Sequence, residues 1–162
     1  RYFGRIDPNA VAISGYSCGG VQALANAEDP RIAAGLIMNS GVLLNGPTRM
    51  GGIDVGKQLL ADLHTPTLYI LGGSTDIAYV NGMDDFARIA HVPVAVANIE
   101  TGHGGTYWEP NGGAAAQVVV DWLDWQLRGH AGAGAKFLGA QCGLCTDPKW
   151  KLETKGFAAQ QR

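Results

Sequence analysis

Along the chain, short apolar runs alternate with stretches whose apolar positions recur every three or four residues. Ala10-Val11-Ala12-Ile13 opens the pattern as a predicted strand over about 10–14, delivered by the turn Asp7-Pro8-Asn9. A helix from Gly20 to Ala27 follows and is stopped at Asp29-Pro30-Arg31. Ala33 to Met38 is apolar throughout, as in a strand buried on both faces. The glycine-rich stretch Asn39 to Gly52 then leads to a predicted helix over about 55–63, with Leu59, Leu60 and Leu63 on one face. Pro66 marks the next boundary, and Thr67 to Leu71 reads as the third strand. In a helix over about 78–90, Val80, Met83, Phe86 and either Ala87 or Ala90 form a core-facing stripe, while Asp84 and Asp85 are read as facing solvent. Val92 to Ile99 is the fourth strand, with Pro93 at its opening, where a missing donor is tolerated. The last helix, about 114–128, presents Val118, Val119, Trp122, Leu123 and Leu127 and stops at Gly129.

Strand and helix thus alternate four times, which predicts an α/β fold: a parallel sheet flanked by helices and joined by right-handed crossovers. Residues 1–130 read as one unit of this fold. Ala131 to Gly134 reads as a linker, and the remainder of 131–162 as a carboxy-terminal tail packed on the domain through Phe137, Leu138, Trp150 and a cysteine pair. In such sheets, sites form beyond the carboxyl ends of the strands. Ser17, Asp76 and His103 each follow a different predicted strand, so all three fall along one sheet edge.

Gly15-Tyr16-Ser17-Cys18-Gly19-Gly20 joins the first strand to the first helix and reads as a nucleophile elbow. A serine held in so sharp a turn crowds its neighbours two residues away, and Gly15 and Gly19 relieve the crowding. In a chain with 24 glycines the pattern also arises by chance, and what separates the readings is its place between strand and helix. A serine nucleophile needs a base. Of the four histidines, His64, His91 and His130 follow helices, where a cation beside the last carbonyls is sufficient explanation. His103 alone lies at a strand end, between glycines. Asp76, directly after the third strand, is placed to orient it, whereas Glu100 lies too near His103 along one strand end.

Composition narrows the partners. A net charge of -2, with 16% charged residues and no basic cluster, argues against nucleic acid or an anionic membrane surface. No apolar run approaches the roughly 20 residues of a membrane span. Gly15 to Gly20 lacks the lysine of a phosphate loop and does not match a dinucleotide fingerprint, so no cofactor and no metal is implied. Three cysteines leave an odd count. Cys18 is read as a small packed residue, and Cys142 and Cys145 as a short-range disulfide, free thiols or half a metal site.

Taken together, Gly15-Tyr16-Ser17-Cys18-Gly19-Gly20, Gly72-Gly73-Ser74-Thr75-Asp76, Gly102-His103-Gly104-Gly105-Thr106-Tyr107 and Trp122-Leu123-Asp124-Trp125-Gln126-Leu127-Arg128-Gly129 resemble the α/β-hydrolase superfamily, and within it the dienelactone-hydrolase-like esterases. The order Ser, Asp, His along the chain agrees. The resemblance implies a serine esterase with Ser17 as nucleophile, His103 as base and Asp76 as its partner, and the Cys18 backbone N–H in the oxyanion hole. Dienelactone hydrolases themselves use cysteine at the matching place; Ser17 here favours ordinary carboxylic esters, of small molecules or polymers. Peptidase or acyltransferase chemistry on the same triad, and a non-catalytic binding module, are the alternatives. The family pattern has eight main strands, with the nucleophile after the fifth, so this chain corresponds to strands five to eight. A complementary amino-terminal segment or second chain is therefore expected, against a short protein that completes its sheet by dimerising. Asn39-Ser40-Gly41 and Tyr107-Trp108 read either as pocket lining or as loop packing. The compartment is open, with a secreted or periplasmic setting favoured by the resemblance and the Cys142/Cys145 pair.

Overall fold

The computed structural model describes residues 3–45, 48–50 and 53–157. Strand β1 (Val11–Tyr16) runs through Ser17 into helix α1 (Cys18–Ala25), and β2 (Ile32–Met38) returns beside it. A small antiparallel hairpin, β3 (Thr48–Met50) and β4 (Ile53–Val55), and a 3-10 helix (Lys57–Asp62) lead to β5 (Thr67–Leu71). Helix α2 (Tyr79–Arg88), strand β6 (Val94–Ile99) and helix α3 (Gly113–Arg128) follow; short helices α4 (Ala131–Gly134) and α5 (Gly143–Thr146) then carry the chain to β7 (Trp150–Lys155). The main sheet has the order β1-β2-β5-β6-β7, parallel except for β7, which pairs antiparallel with β6.

The unbroken apolar runs are explained by cover on both faces. Within β5, Tyr69 and Leu71 turn to one side, where they pack with Ala23, Leu24, Leu60 and Ile89. Leu68 and Ile70 turn to the other and pack with Val118, Trp122 and Phe137. The two-residue period of a strand divides one apolar run between two cores.

Several elements differ from the sequence expectation. The segment over 55–63 is not an α-helix: Val55 belongs to β4, and with Gly56 and Leu63 both extended only six residues remain, which wind as the tighter 3-10 form. Leu60 and Leu63 are nevertheless buried. On α2, Met83 and Phe86 pack on the core, but Val80 is 61% exposed and Ala87 and Ala90 are exposed. The inward face is Gly82, Asp85 and Ile89. A β-carbon on Gly41 would stand 2.4 Å from the Gly82 backbone nitrogen, so this close seat on the loop after β2 sets the helix rotation and turns Asp85 inside. Asp85, expected in solvent, is wholly buried and paired with Lys57.

The linker expected over Ala131–Gly134 is a helical turn with Ala133 and Gly134 buried; the Trp125 ring covers Gly134, whose missing side chain admits it. The tail supplies the sheet's fifth strand, in which Trp150 is buried and Lys151 and Glu153 are exposed; residues 158–162 of that predicted tail lie outside the described residues, as do Gly46, Pro47, Gly51 and Gly52 of the glycine-rich stretch. Cys142 and Cys145 form a disulfide, and Cys18 is exposed rather than packed. Among the described residues, no helix is long and apolar enough to cross a membrane.

Candidate active site

β1 ends on a strained residue. Ser17 has φ 52° and ψ -122°, outside the regions a non-glycine residue ordinarily occupies. Its surroundings hold it there: the Ser17 N–H donates to the Met38 carbonyl (3.0 Å), and the Ser17 carbonyl accepts from the Gly20 N–H (2.9 Å) and the Ser40 hydroxyl (2.6 Å). A β-carbon on Gly15 would lie 2.0 Å from the Gly19 carbonyl oxygen, and one on Gly20 would lie 2.4 Å from the Ser40 Cβ. At Gly19 a β-carbon would meet nothing within 4 Å. Crowding at the elbow is therefore relieved at Gly15 and Gly20, not at Gly15 and Gly19, because Gly19 points away from the strand.

The three residues predicted at the sheet edge come together. Ser17 Oγ is 3.0 Å from His103 Nε2, and His103 Nδ1 is 2.7 Å from Asp76 Oδ1. With the proton on Nδ1, the ring donates to the carboxylate and offers Nε2 as an acceptor to the serine hydroxyl. Ring and loop are held from two sides. The Gly102 and Thr101 N–H groups donate to the Gly72 carbonyl at the end of β5 (2.8 and 3.1 Å), and the Tyr16 hydroxyl donates to the His103 carbonyl (2.6 Å). The Tyr16 ring also lies 5.5 Å from the His103 ring and makes an edge contact with Tyr107.

The Asp76 side chain is shut off from solvent, while that of His103 is 27% exposed. Burial alone pushes the Asp76 carboxyl up. Donors outweigh it: the Ala78 and Gly72 N–H groups (2.9 Å each), His103 and the Asn39 amide (2.8 Å) hold it below the ordinary carboxylate value. Asp76 is thus kept as an anion against the imidazole.

The Cys18 N–H opens α1 and is among the helix's amino-terminal donors, which have no intrahelical acceptor and carry the positive end of the dipole. A pocket of about 90 Å³ adjoins Ser17 and His103, with Val21, Leu43, Ile77 and Ala78 as apolar wall and Asn39, Ser40, Gly41 and Asn81 as polar lining. Of the two segments left open by the sequence, Asn39-Ser40-Gly41 lines this pocket. Tyr107 packs against Tyr16, and Trp108 is 86% exposed. Glu100 accepts from the Ser74 N–H instead of facing His103, and the His91 ring meets the Leu63 carbonyl. Among the described residues, no group of three or more His, Cys, Asp or Glu side chains is gathered as a metal-ligand set.

Asn39 is the member of the site whose role sequence reasoning missed. It follows β2, has φ 43°, is 1% exposed, and touches both Asp76 and the loop of His103. A polar residue tolerant of left-handed backbone at the end of a buried strand is the signal that was available.

No family model and no curated protein matches this chain. Solved structures do. The 2,6-dihydroxy-pseudo-oxynicotine hydrolase aligns over 75% of this chain and 41% of its own, at 20% identity and a TM-score of 0.55. The solved structure of native pOPH aligns over 95% of this chain and 55% of its own (15% identity, TM-score 0.55), and that of native sOPH over 94% and 55% (14% identity, TM-score 0.52). The chain thus spans about half the length of these neighbours, and at such identity the likeness is one of fold.

Proposed function

From a chain that carries part of an α/β-hydrolase fold, we propose a serine hydrolase cleaving carboxylic esters, of the dienelactone-hydrolase-like kind, with Ser17, His103 and Asp76 as its triad. One observation carries the reading: the continuous line from Ser17 Oγ through the imidazole to a buried, anionic carboxylate. As Ser17 Oγ attacks the ester carbonyl carbon, its proton passes to His103 Nε2. The negative charge developing on the carbonyl oxygen is met by the Cys18 N–H, and Asp76 stabilises the imidazolium. Collapse breaks the bond to the alcohol oxygen, which leaves with the proton from His103. Water then gives its proton to His103 and attacks the acyl-enzyme, and the acid departs as Ser17 recovers its hydrogen.

The 14 to 20% identical neighbours include a hydrolase by name, which supports hydrolysis as the reaction class. The test uses the full protein that contains this chain. A fluorophosphonate should label Ser17, and Ser17→Ala should remove the label and lower ester turnover on the order of 10⁶-fold. Labelling or turnover that survives the substitution rejects the assignment. Transfer of the acyl group to an added alcohol, in place of release as free acid, would move the reading to an acyltransferase.

A further inference from the structure

We infer that Asn39 is a positioning residue of this site, a tether that fixes the acid and the base loop to each other; the inference rests on the triad reading above. Its amide Nδ2 donates to Asp76 Oδ2 (2.8 Å) and to the Gly102 carbonyl (3.1 Å), the residue that precedes His103. One NH₂ group therefore spans two strand ends, that of β5 with Asp76 and that of β6 with His103. The amide orientation is fixed by its surroundings, because exchanging Nδ2 and Oδ1 would set an acceptor against two acceptors. The remaining oxygen, Oδ1, is buried and has no hydrogen-bond partner among the described residues. A buried acceptor left unpaired is costly, and Asn39 also sits at φ 43°. Packing alone selects against such a residue at this place, since an apolar side chain would leave no orphaned oxygen and glycine no backbone strain.

What the residue provides is the second half of the carboxylate's environment. Asp76 Oδ1 faces the imidazole and the Ala78 N–H; among the described residues, Oδ2 accepts from the Gly72 N–H and Asn39 alone. The β2 end can hold this amide because the Asn39 N–H is itself pinned to the Ile70 carbonyl (2.7 Å). Without the amide, the carboxylate keeps one donor on Oδ2 and gains freedom to rotate, and the Gly102 carbonyl loses its link to the acid. Both changes loosen the Nδ1 contact that sets the tautomer of His103.

Two variants of the full protein separate this role from a structural one, measured as kcat/KM against pH on p-nitrophenyl acetate, with melting temperature alongside. Asn39→Gly removes the amide and accommodates the backbone, so folding should be retained while kcat/KM falls about ten- to a hundredfold, the scale of one hydrogen bond to a charged group. Asn39→Asp sets a second carboxyl against Asp76, and two carboxyls so close share one proton; while it is held, its O–H can donate to Asp76 Oδ2 as the amide does, so the deficit in kcat/KM relative to wild type should grow as pH rises and that proton is lost. Wild-type kcat/KM in Asn39→Gly, or wild-type kcat/KM at every pH in Asn39→Asp, overturns the inference while leaving the triad intact. A wild-type protein without Ser17-dependent turnover overturns the triad reading and this inference with it.

Discussion

Gly15 occupies a position where a single methyl group decides whether the elbow forms. The atoms its β-carbon would strike, the Gly19 carbonyl at 2.0 and 2.2 Å and the Gly20 nitrogen at 2.6 Å, are backbone of α1 and cannot swing aside as a side chain would. Gly15→Ala should therefore displace α1 from β1, cost about 1–3 kcal/mol or more, and abolish fluorophosphonate labelling with Ser17 still present. Gly19→Ala should behave oppositely, because its β-carbon meets open space and alanine is favoured over glycine in a helix by about 1 kcal/mol. Paired thermal melts check both; equal losses would show the crowding to be misassigned. The same residues mark the limit of the sequence. The places of Ser17, Asp76 and His103 at three strand ends are legible because they depend only on strand order. Which glycine is squeezed depends on the roll of one short helix, a three-dimensional quantity, and Asn39 acts through contacts 37 and 63 residues away.

Helix α2 is fastened by a charge at its centre. Asp85 Oδ1 accepts from Lys57 Nζ (2.5 Å), and Oδ2 accepts from the Val42 N–H (2.8 Å) and the Tyr69 hydroxyl (3.3 Å). One carboxylate thus links α2 to the 3-10 helix, to β5 and to the loop that carries the pocket's Ser40 and Gly41. Burial pushes its pKa from 3.8 up to about 6, despite the lowering pull of Lys57 and the other donors. The folded state therefore holds this proton more tightly than the unfolded chain does, and between about pH 4 and 6 the group's contribution to stability falls as pH rises. Lys57→Met should sharpen the effect. At pH 8 it leaves a buried carboxylate without its counterion and should cost about 3–5 kcal/mol; at pH 5 the carboxyl can take up a proton, so part of that loss should be recovered. Urea unfolding at the two pH values decides, and an equal loss at both would contradict the account. No local pattern announces this residue. Charged side chains are almost never fully buried unless paired, and the partner lies 28 positions back, beyond any helical or strand period. Strand β7, by contrast, is written in its alternation, with Trp150 and Leu152 packed on the core and Lys151 and Glu153 outside, a signal a tail reading passes over.

The two edges of the sheet are unlike. β7 presents Lys151, Glu153 and Lys155 along its length, the kind of charge that discourages a further strand from pairing. β1, of sequence VAISGY, has no charge at all, pairs with β2 on one side, and has no strand on its other side among the described residues. Phe3 and Ile6, just ahead of it, are 102% and 74% exposed. The solved neighbours are about twice as long as this chain. We therefore propose that β1 is an interior strand of the functional protein, covered by a preceding segment or a second chain that also supplies the oxyanion donor beyond Cys18. Losing one such donor typically costs about 10²- to 10³-fold in rate, so a product of these 162 residues alone should be deficient in turnover and should self-associate at micromolar concentration through β1. A product in which β1 is covered, by a preceding segment of the same protein or by an added second chain, should be monodisperse and restore the rate. Light scattering and ester turnover on the two products check this together. A monomeric, fully active 162-residue protein would mean that β1 is a true edge and that the oxyanion site is complete within this chain.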